Sequence, residues 1–415
     1  MAAGTLIIGA SQAGLQLAVT LRELGDTAPI TLVGAEDHPP YQRPPLSKEY
    51  LSGTADSGTL AFRAPSFYAD QAIDLVCGQR VADVSMGPDG AGSGCARTEG
   101  GLELPFDRLA LTTGARPRRL SVPGAELAGI CYLRDLDDAE QLRTGLARAR
   151  RVVVVGGGFV GLEAAAVARA RGLEVTVVEA ADRLIARAVA PVTSAFYAAA
   201  HERRGTTVLL GAGVAGFGGS DGHVATVQLS DGRELPADLV VVGVGVVPRT
   251  ELAELIGLEV DGGIVVDRYA RTSRPTVVAA GDCTVLPHPV TGEGRVRLES
   301  VNNAVTQGAT AAASLLGRPE MVPNVPWFWS NQGDLRLQIA GLATGFDAHV
   351  VRGDPDSERF SVLYYREGRL LAVDAVNAPG DYMVVRRALT QGTTIPADRA
   401  ADASTSLKAL LSVAA

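Results

Sequence analysis

Near its start, the chain carries an apolar strand, a glycine-rich turn, an amphipathic helix and a second apolar strand. Apolar runs at 5–8 and 30–33 predict two short buried strands, and the apolar spacing over 15–24 predicts the helix. The turn spans 9–14, and the second strand ends near an acidic residue, Glu36, about 20 residues beyond the glycines. This order is typical of a nucleotide-binding β-α-β unit.

The same unit recurs in the middle of the chain. Valines at 152–155 predict its first strand, and a helix is predicted over 162–170. The second strand covers 175–178 and ends at Glu179. A repeated unit of this kind predicts two nucleotide-binding domains in one chain.

The two turns differ at their middle glycine position. A helix that starts at such a turn offers unpaired N–H groups and a partial positive charge to a pyrophosphate, and glycine lets the backbone approach closely. The second turn has the complete set, which is Gly156, Gly158 and Gly161. In the first turn, Ser11 stands between Gly9 and Gly14. One hydroxymethyl group is expected to narrow the phosphate approach without closing it.

The remaining pattern predicts smaller elements around these units. An apolar run at 239–247 predicts a strand, residues 299–316 predict a helix, and alternating strands begin at about 326. We therefore predict an α/β fold with two Rossmann-like nucleotide-binding domains and a small C-terminal α+β domain. The expected boundaries are 1–111 with 245–325 for one nucleotide domain, 112–244 for the other, and 326–415 for the C-terminal domain. The alanine- and serine-rich end is expected to be a loosely held tail.

Composition and charge narrow the function classes. The chain has 415 residues and 48 glycines, which suit several domains with many tight turns. Its formal net charge of −8 argues against a general nucleic-acid binder. Residues 2–21 carry no charge, but they lack a basic flank and are interrupted by polar residues and glycines. We therefore expect no signal peptide and no membrane span, and a soluble, cytoplasmic protein.

The cysteines predict no redox or metal motif. There are four of them, Cys77, Cys95, Cys131 and Cys283. Because none forms a CxxC pair, we expect neither a zinc site nor a dithiol motif, and no bound metal. Free thiols in a reducing cytoplasm are the simplest interpretation.

Two segments indicate which turn holds which nucleotide. Gly281 and Asp282 follow a predicted strand, where an aspartate can hydrogen-bond a flavin ribityl or phosphate group. Alone, Asp282 would be an ordinary cap or turn residue. The second segment, at 112–117, contains Thr113 and Gly114. Together the two segments form a distinctive combination.

Longer motifs extend the pattern over nearly the whole chain. They are the turn at 9–14, the proline-rich segment 40–48, the segment 132–134, residues 156–163 with Glu179, and the segments 281–283, 298–301 and 326–330. In this order they resemble the NADH-dependent, FAD-containing ferredoxin reductases of bacterial cytochrome P450 and ring-hydroxylating dioxygenase systems. The resemblance implies a glutathione-reductase-like arrangement of the nucleotide domains.

The resemblance also implies a catalytic pair. Lys48 would reach the N5 edge of the flavin and pair with Glu163 on the first turn of the nicotinamide-binding helix. A cation near N5 favours negative charge on the reduced ring. The alternatives are a solvated surface lysine and an ordinary charge on the first turn of a helix.

A larger set is expected to contact FAD. Glu36 takes the ribose contact, because Ala35 stands where relatives often have aspartate, and Val301 opens a helix whose positive end stabilises the reduced ring. Trp329 either helps to pass electrons or is a packed core tryptophan. The full set is Gly9, Ser11, Ala13, Gly14, Glu36, Arg43, Pro45, Lys48, Val81, Thr113, Gly114, Arg134, Gly281, Asp282, Val301 and Trp329.

The second turn is expected to bind the nicotinamide nucleotide. A carboxylate at Glu179 suits a free ribose 2′-hydroxyl and repels a 2′-phosphate, so NADH is preferred over NADPH. Arg183 and Arg187 follow closely and are expected to moderate that repulsion. The predicted contacts are Gly156, Gly158, Phe159, Val160, Gly161, Glu179 and Gly245.

The implied activity is transfer of hydride from NADH to flavin N5, followed by single electrons passing to a [2Fe–2S] ferredoxin. The alternatives are a reductase of rubredoxin or a quinone, and a non-catalytic redox-sensing flavoprotein. An NADH oxidase, peroxidase or disulfide reductase needs a reactive cysteine in 44–48, but the first cysteine is Cys77. Relatives tend to have Asp and Tyr where Asn331 and Gly333 stand, on a face that the resemblance places near the flavin and the protein partner. We expect a monomer.

Overall fold

The structure is a computed structural model that describes residues 3–87, 92–289, 292, 294–320 and 324–413. The chain divides into two compact units, each assembled from three separate segments. The first unit comprises Met1–Gln42, Leu60–Arg116 and Val247–Pro326, and the second comprises Arg43–Thr59, Pro117–Val246 and Trp327–Ala415.

The first unit is built on a five-stranded parallel sheet. Its strands, in sheet order, are Val277–Ala279, Arg108–Leu111, Thr5–Ile8, Ile30–Val33 and Ile73–Val76. Thr5 pairs with Ile30 on one side and with Arg108 on the other. The central strand is fully buried because a parallel sheet has both faces covered, which explains its uninterrupted apolar run.

Two helices of the first unit pack closely together. The helix after the first turn spans Gln12–Glu23 and begins three residues before its predicted start at 15, because Ser11 serves as its N-cap. The second helix, Val301–Leu315, was predicted over 299–316. A Cβ added at Gly308 would lie 2.7 Å from the carbonyl oxygen of Ala13, so glycine is what permits this close approach.

Smaller elements complete the first unit. One three-stranded sheet consists of Val81–Met86, Gly94–Thr98 and Glu103–Phe106, and another consists of Ile264–Val265, Thr284–Pro287 and Arg295–Val296. The short helices are Pro65–Asp70 and Glu251–Leu255. The helix Ser57–Leu60 and the strands Ala115–Pro117 and Val246–Pro248 lie where the chain passes from one unit to the other.

The second unit contains the other five-stranded parallel sheet. Its strands, in sheet order, are Thr207–Leu209, Glu174–Val178, Arg151–Val155, Leu239–Val242 and Ile130–Cys131. The helix after the second turn spans Phe159–Ala170 and begins three residues earlier than predicted. Both predicted β-α-β units and the predicted α/β class are therefore confirmed.

The continuous strand predicted over 239–247 is wrong. The chain forms Leu239–Val242 and Val246–Pro248 with three residues between them. In that gap, Gly245 has a φ of +97°, which is outside strand geometry. The apolar run predicted burial correctly, but apolar character does not report a change in backbone direction.

The C-terminal part of the second unit is an antiparallel sheet with helices. Its strands, in sheet order, are Trp327–Gln332, Leu335–Gly341, Arg369–Val376, Arg359–Arg366 and Ala348–Asp354. Leu335 and Leu337 share a hydrophobic core with Val152 and Val154 of the parallel sheet. The expected α+β character of this region is confirmed, and its core is continuous with that of the parallel sheet of the second unit.

The loosely held tail expected at the end of the chain is wrong for its described residues. The guanidinium of Arg352 donates to the carbonyl oxygens of Ala400, Asp402 and Thr405 at 3.1, 2.6 and 2.9 Å. Leu407 is 2% exposed. The alanine- and serine-rich composition of the last residues did not indicate the few contacts that anchor them.

The remaining elements of the second unit are short. A three-stranded sheet consists of Val214–Ser220, His223–Leu229 and Glu234–Pro236. The other helices are Glu49–Ser52, Leu136–Leu146, Pro191–Arg203, Pro379–Thr390, Ala397–Ala400 and Leu407–Val413, with 3-10 turns at Pro44–Ser47 and Pro355–Ser357.

Candidate functional site

The outer glycines of the first turn are required by the fold itself. Gly9 has a φ of +123°, and a Cβ added there would lie 2.1 Å from the carbonyl oxygen of Thr112. A Cβ at Gly14 would lie 2.1 Å from the carbonyl oxygen of Gly9. Ser11, the middle residue, has extended backbone with a φ of −135° and caps the Gln12–Glu23 helix. Of the three positions that the glycine motif reserves, 9, 11 and 14, only the middle one thus accommodates a side chain.

The second turn repeats this geometry. A Cβ at Gly156 would lie 2.4 Å from the carbonyl oxygen of Gly243, and one at Gly161 would lie 2.3 Å from that of Gly156. At Gly158 the nearest atom to an added Cβ is 4.0 Å away. The described protein therefore does not fill the space at the middle glycine, and this space lies at a helix N-terminus. The residues present fit a bound pyrophosphate.

Glu179 is fixed beside the second turn. Its carboxylate accepts hydrogen bonds from the backbone N–H groups of Gly157 and Ala181, each at 2.7 Å. Arg183 donates to the carbonyl oxygens of Ala186 and Val189 at 2.5 and 2.8 Å. Two backbone carbonyls thus hold the guanidinium of Arg183, which keeps its positive charge.

Other predicted nicotinamide contacts lie around the same helix N-terminus. Phe159 and Val160 are its first two residues. Val160 is 42% exposed, which is high for a large apolar side chain, and Phe159 packs on Phe328 with ring centroids 4.6 Å apart. The carbonyl oxygen of Gly245 accepts from the backbone N–H of Arg118 at 2.9 Å.

Glu36 occupies the corresponding position in the first unit. Its carboxylate accepts a hydrogen bond of 2.5 Å from the hydroxyl of Tyr41. Ala35, the position where relatives often have aspartate, is exposed. The two acidic residues thus differ, because a side chain holds Glu36 and the backbone of its own turn holds Glu179.

The turn at Gly281 and Asp282 is tied to the Val301–Leu315 helix. The side-chain oxygen of Gln307 accepts from the backbone N–H of Gly281 at 2.8 Å and from the hydroxyl of Thr284 at 2.9 Å. A Cβ at Gly281 would lie 3.1 Å from Cβ of Ala13. Sequence reasoning missed Gln307. Its signal was an amide on the buried face of an alanine-rich helix, four residues after a second buried amide, Asn303.

The other predicted FAD contacts of the first unit lie on loops and element ends. Thr113 donates its hydroxyl to the carbonyl oxygen of Arg249 at 2.7 Å, and the carbonyl oxygen of Gly114 accepts from the backbone N–H of Arg249 at 2.9 Å. Val81 begins a strand and pairs with Thr98. Val301 is the first residue of its helix, as predicted.

The remaining predicted FAD contacts belong to the second unit. Pro45 lies in the 3-10 turn Pro44–Ser47, which immediately precedes Lys48. Arg43 donates to the carbonyl oxygen of Arg134 at 2.8 Å. This contact joins the start of the proline-rich segment to residue 134, a pair of positions 91 residues apart in sequence.

Lys48 and Glu163 form a buried ion pair. The ammonium nitrogen of Lys48 lies 2.7 Å from Oε2 of Glu163, and the two side chains are 11% and 3% exposed. The ammonium also donates to the carbonyl oxygen of Pro44 at 3.0 Å. Lys48 is therefore not a solvated surface lysine.

Glu163 was expected on the first turn of its helix, but the structure places it beyond that turn. The helix begins at Phe159, so Glu163 lies one residue past the first turn and faces inward. Two hydroxyl groups that sequence reasoning missed donate to its carboxylate, those of Ser47 at 2.5 Å and Ser330 at 2.6 Å. A buried charge requires such partners, which an ordinary charge at a helix end would not need.

Trp329 lies in an aromatic cluster. Its ring centroid is 5.4 Å from that of Trp327 and 6.4 Å from that of Phe328. All three side chains are partly exposed. Asn331 follows on the same strand, and Gly333 forms the tight turn after it with a φ of +66°. Trp329 is therefore not a fully enclosed core residue.

The two buried cysteines, Cys131 and Cys283, lack the environment of reactive thiols. Burial raises the pKa of Cys131 to about 11 and also raises the pKa of Cys283. Among the described residues, no cluster of His, Cys, Asp and Glu could hold a metal ion. No helix in the described part of the chain is both long enough and apolar enough to cross a bilayer.

Known proteins resemble this chain over nearly its full length. Rhodocoxin reductase from Rhodococcus erythropolis is 46% identical over 405 residues, which cover 97% of this chain and 93% of the relative. The crystal structure of the ferredoxin reductase for the CYP199A2 system from Rhodopseudomonas palustris has a TM-score of 0.93 and 42% identity, covering 99% of this chain and 100% of that one. A covalent putidaredoxin reductase–putidaredoxin complex has a TM-score of 0.94 and 38% identity, covering 99% and 98%.

Two family models match the chain. The model for pyridine nucleotide-disulphide oxidoreductases matches residues 4–308, and the reductase C-terminal model matches residues 327–411. These matches confirm the resemblance inferred from the motifs and the predicted cofactors, FAD and a nicotinamide nucleotide. The chain belongs to the pyridine nucleotide-disulphide oxidoreductase family.

Proposed function

We propose that this protein is an NADH:ferredoxin oxidoreductase, which uses FAD to pass electrons from NADH to a [2Fe–2S] ferredoxin. The observation that carries the proposal is the buried pair of Lys48 and Glu163. A lysine and a glutamate from segments 115 residues apart meet at 2.7 Å, and Glu163 lies on the helix that follows the complete glycine turn.

The pair supplies a fixed positive charge. When bound, FAD accepts hydride at N5 and releases electrons one at a time. Lys48 keeps its ammonium in place, because Glu163 and the carbonyl oxygen of Pro44 both accept from it. A cation held at the N5 edge favours negative charge on the reduced ring. No side-chain nucleophile or general base is required.

The second turn selects and orients the nucleotide. The space at Gly158 admits a pyrophosphate close to the backbone, and the N-terminus of the Phe159–Ala170 helix attracts its charge. Glu179, fixed by two backbone N–H groups, accepts from the ribose hydroxyls and repels a 2′-phosphate. We infer that NADH is preferred over NADPH.

The first turn holds FAD by the same means. The N-terminus of the Gln12–Glu23 helix would hold the FAD pyrophosphate, where the side chain of Ser11 would narrow the approach, and Glu36 would accept from the ribose. Asp282 would hydrogen-bond the ribityl or phosphate group. Arg43, Pro45, Arg134, Val81 and Val301 keep the roles that the family resemblance implies.

The relatives support the choice of electron acceptor. Rhodocoxin reductase is named for its redox partner, and putidaredoxin reductase has been crystallised with putidaredoxin. We propose that the ferredoxin reduced by this chain supplies a cytochrome P450 or a dioxygenase, that Trp329 lies on the route of the electrons, and that the reductase works as a monomer in the cytoplasm.

The role of the ion pair can be tested with an internal control, because Lys48 and Lys408 are the only two lysines of the chain. Lys48→Met is expected to slow reduction of the bound flavin by NADH about 100-fold in anaerobic stopped-flow experiments, since a fixed charge is lost. Lys48→Arg should retain part of the rate, and Lys408→Met all of it. Reduction of the Lys48→Met protein at the wild-type rate would contradict the assigned role.

A further inference from the structure

Behind Glu163, three more side chains continue an unbroken row of hydrogen bonds. The hydroxyl of Ser330 donates to Oε1 of Glu163 at 2.6 Å. The side-chain nitrogen of Gln332 donates to the Ser330 hydroxyl at 3.2 Å. The side-chain oxygen of Gln332 lies 2.8 Å from Nε2 of His201. The residues are at most 3% exposed, so solvent does not satisfy them.

The row comes from two elements of the second unit. Ser330 and Gln332 alternate on the buried face of the strand Trp327–Gln332, and Trp329 lies on its other face. His201 comes from the helix Pro191–Arg203. The strand that carries the proposed electron-route tryptophan therefore also supports the carboxylate of the proposed catalytic pair.

The hydrogen bonds of the row all run in one direction. Because the amide oxygen of Gln332 faces His201, the Nε2 atom of His201 must carry a proton and donate it. Burial lowers the pKa of His201, which favours the neutral ring with that proton. Ser330 accepts from Gln332 and is left with its own proton for Glu163. Every donor thus points toward the carboxylate.

A row of hydrogen bonds whose donors all point toward one end stabilises a negative charge at that end. An isolated carboxylate that is 3% exposed would be costly to keep ionised. Lys48 and Ser47 donate to one oxygen of Glu163, and Ser330 is the donor to the other. Without Ser330, the oxygen Oε1 has no comparable partner among the described residues.

We propose that Ser330, Gln332 and His201 are positioning residues that hold Glu163 as the carboxylate, and thereby keep the charge of Lys48 fixed. The proposal rests on the function proposed above, since it assigns a support to that catalytic pair. None of the three side chains contacts the reacting atoms. They act through Glu163 alone.

The test uses Ser330→Ala and Gln332→Met, each in the wild-type and in the Glu163→Gln background. Tyr197→Phe is the matched control. Tyr197 lies on the same helix as His201, is fully buried, and its hydroxyl has no hydrogen-bond partner in the described part of the chain. Its removal therefore tests the loss of a buried hydroxyl without breaking the row.

The first readout is the ionisation of Glu163 in the oxidised holoprotein. Infrared difference spectra between alkaline and mildly acidic buffer are expected to show the carbonyl band of a protonated carboxylic acid in Ser330→Ala at a pH where the wild type lacks it. The band should disappear in the Glu163→Gln background. The titratable groups near Glu163 are Lys48, Tyr197 and, at the far end of the row, His201, and the Tyr197→Phe control covers one of them.

The second readout is the rate at which NADH reduces the flavin. Ser330→Ala is expected to lower it about tenfold and Gln332→Met about threefold, because a hydrogen bond to a charged group is lost or weakened. In the Glu163→Gln background both substitutions should change the rate by less than about twofold, since residues that act through one group are not additive.

Two results would overturn the proposal. One is an infrared spectrum of Ser330→Ala that matches the wild type at every pH. The other is a full, additive loss of rate in the Glu163→Gln background. If NADH fails to reduce even the wild-type flavin, the proposed function is wrong, whereas the infrared titration still decides whether the row holds Glu163 ionised.

Discussion

The two glycine turns have the same arrangement of outer glycines, but they leave different amounts of space at the middle position. In both, the outer glycines are enforced by the fold, with an added Cβ at Gly9 and Gly156 lying 2.1 and 2.4 Å from a backbone oxygen. The middle position is different. At Gly158 nothing in the described protein lies closer than 4.0 Å to an added Cβ, and in the first turn Ser11 occupies this position. The fold therefore requires the outer glycines, whereas it leaves space at the middle position of the second turn.

The acidic residues differ in how they are held. Glu179 accepts from two backbone N–H groups, so the second turn itself orients its carboxylate. Glu36 accepts from the hydroxyl of Tyr41, a side chain that substitution can remove. The second turn itself therefore fixes the orientation of its acidic residue, whereas Glu36 is contacted by the side chain of Tyr41.

The largest expected effect is a difference in stability between a substitution at the outer glycine and a substitution at the middle glycine of the second turn. Gly156→Ala should lower the free energy of unfolding by about 3 kcal/mol, because its φ of +106° is strained for alanine and the Cβ would clash. Gly158→Ala is the control and should change it by less than about 0.5 kcal/mol. Urea unfolding of both variants measures this difference. Equal destabilisation would remove the distinction between the two positions.

The next effect concerns the carboxylate of Glu179. Glu179→Gln is expected to reduce the preference for NADH over NADPH at least about tenfold, because the repulsion of a 2′-phosphate and a charged acceptor are lost together. The measurement is kcat/KM for each nucleotide. Glu174→Gln, at the exposed start of the same strand, should leave the ratio unchanged. An unaltered ratio in Glu179→Gln would show that selectivity lies elsewhere.

The smallest effect comes from exchanging the middle residues of the two turns. Gly158→Ser should raise KM for NADH about fivefold, and Ser11→Gly should tighten FAD binding by a similar factor, since each changes only the space left for a phosphate. Gly158→Ser should leave the unfolding midpoint unchanged. Titration calorimetry of the apoprotein with FAD tests Ser11→Gly, and steady-state kinetics with NADH tests Gly158→Ser. A shift in stability without a change in binding would contradict the prediction.

Local patterns sufficed for the parts of the fold that repeat. The runs at 5–8 and 152–155 and their glycine turns predicted both β-α-β units, because buried parallel strands are continuously apolar. The break at Gly243 was not predictable from the same pattern. It depends on the approach of that carbonyl to Gly156, which lies far away in sequence.

The candidate site was predictable only where a motif carried it. Lys48 and Glu163 stand in recognisable segments, and the structure joins them at 2.7 Å. Ser330 ends the motif at 326–330, where it was assigned no role, and His201 stands in no motif. Their relevance arises from contacts over 167 and 131 residues of sequence, with Glu163 and Gln332 respectively. Periodicity reports which face is buried, but it does not report which buried polar groups meet.

The central claim is that electrons pass from NADH through the bound flavin to a ferredoxin. The most direct test mixes the flavin-loaded protein anaerobically with NADH and a [2Fe–2S] ferredoxin, and follows the flavin and iron–sulfur absorbance together. We expect rapid bleaching of the flavin by NADH, slower bleaching by NADPH, and reduction of the ferredoxin only when the reductase is present. Flavin that NADH does not bleach, or reduced flavin that passes electrons to rubredoxin or a quinone but not to the ferredoxin, would contradict the account.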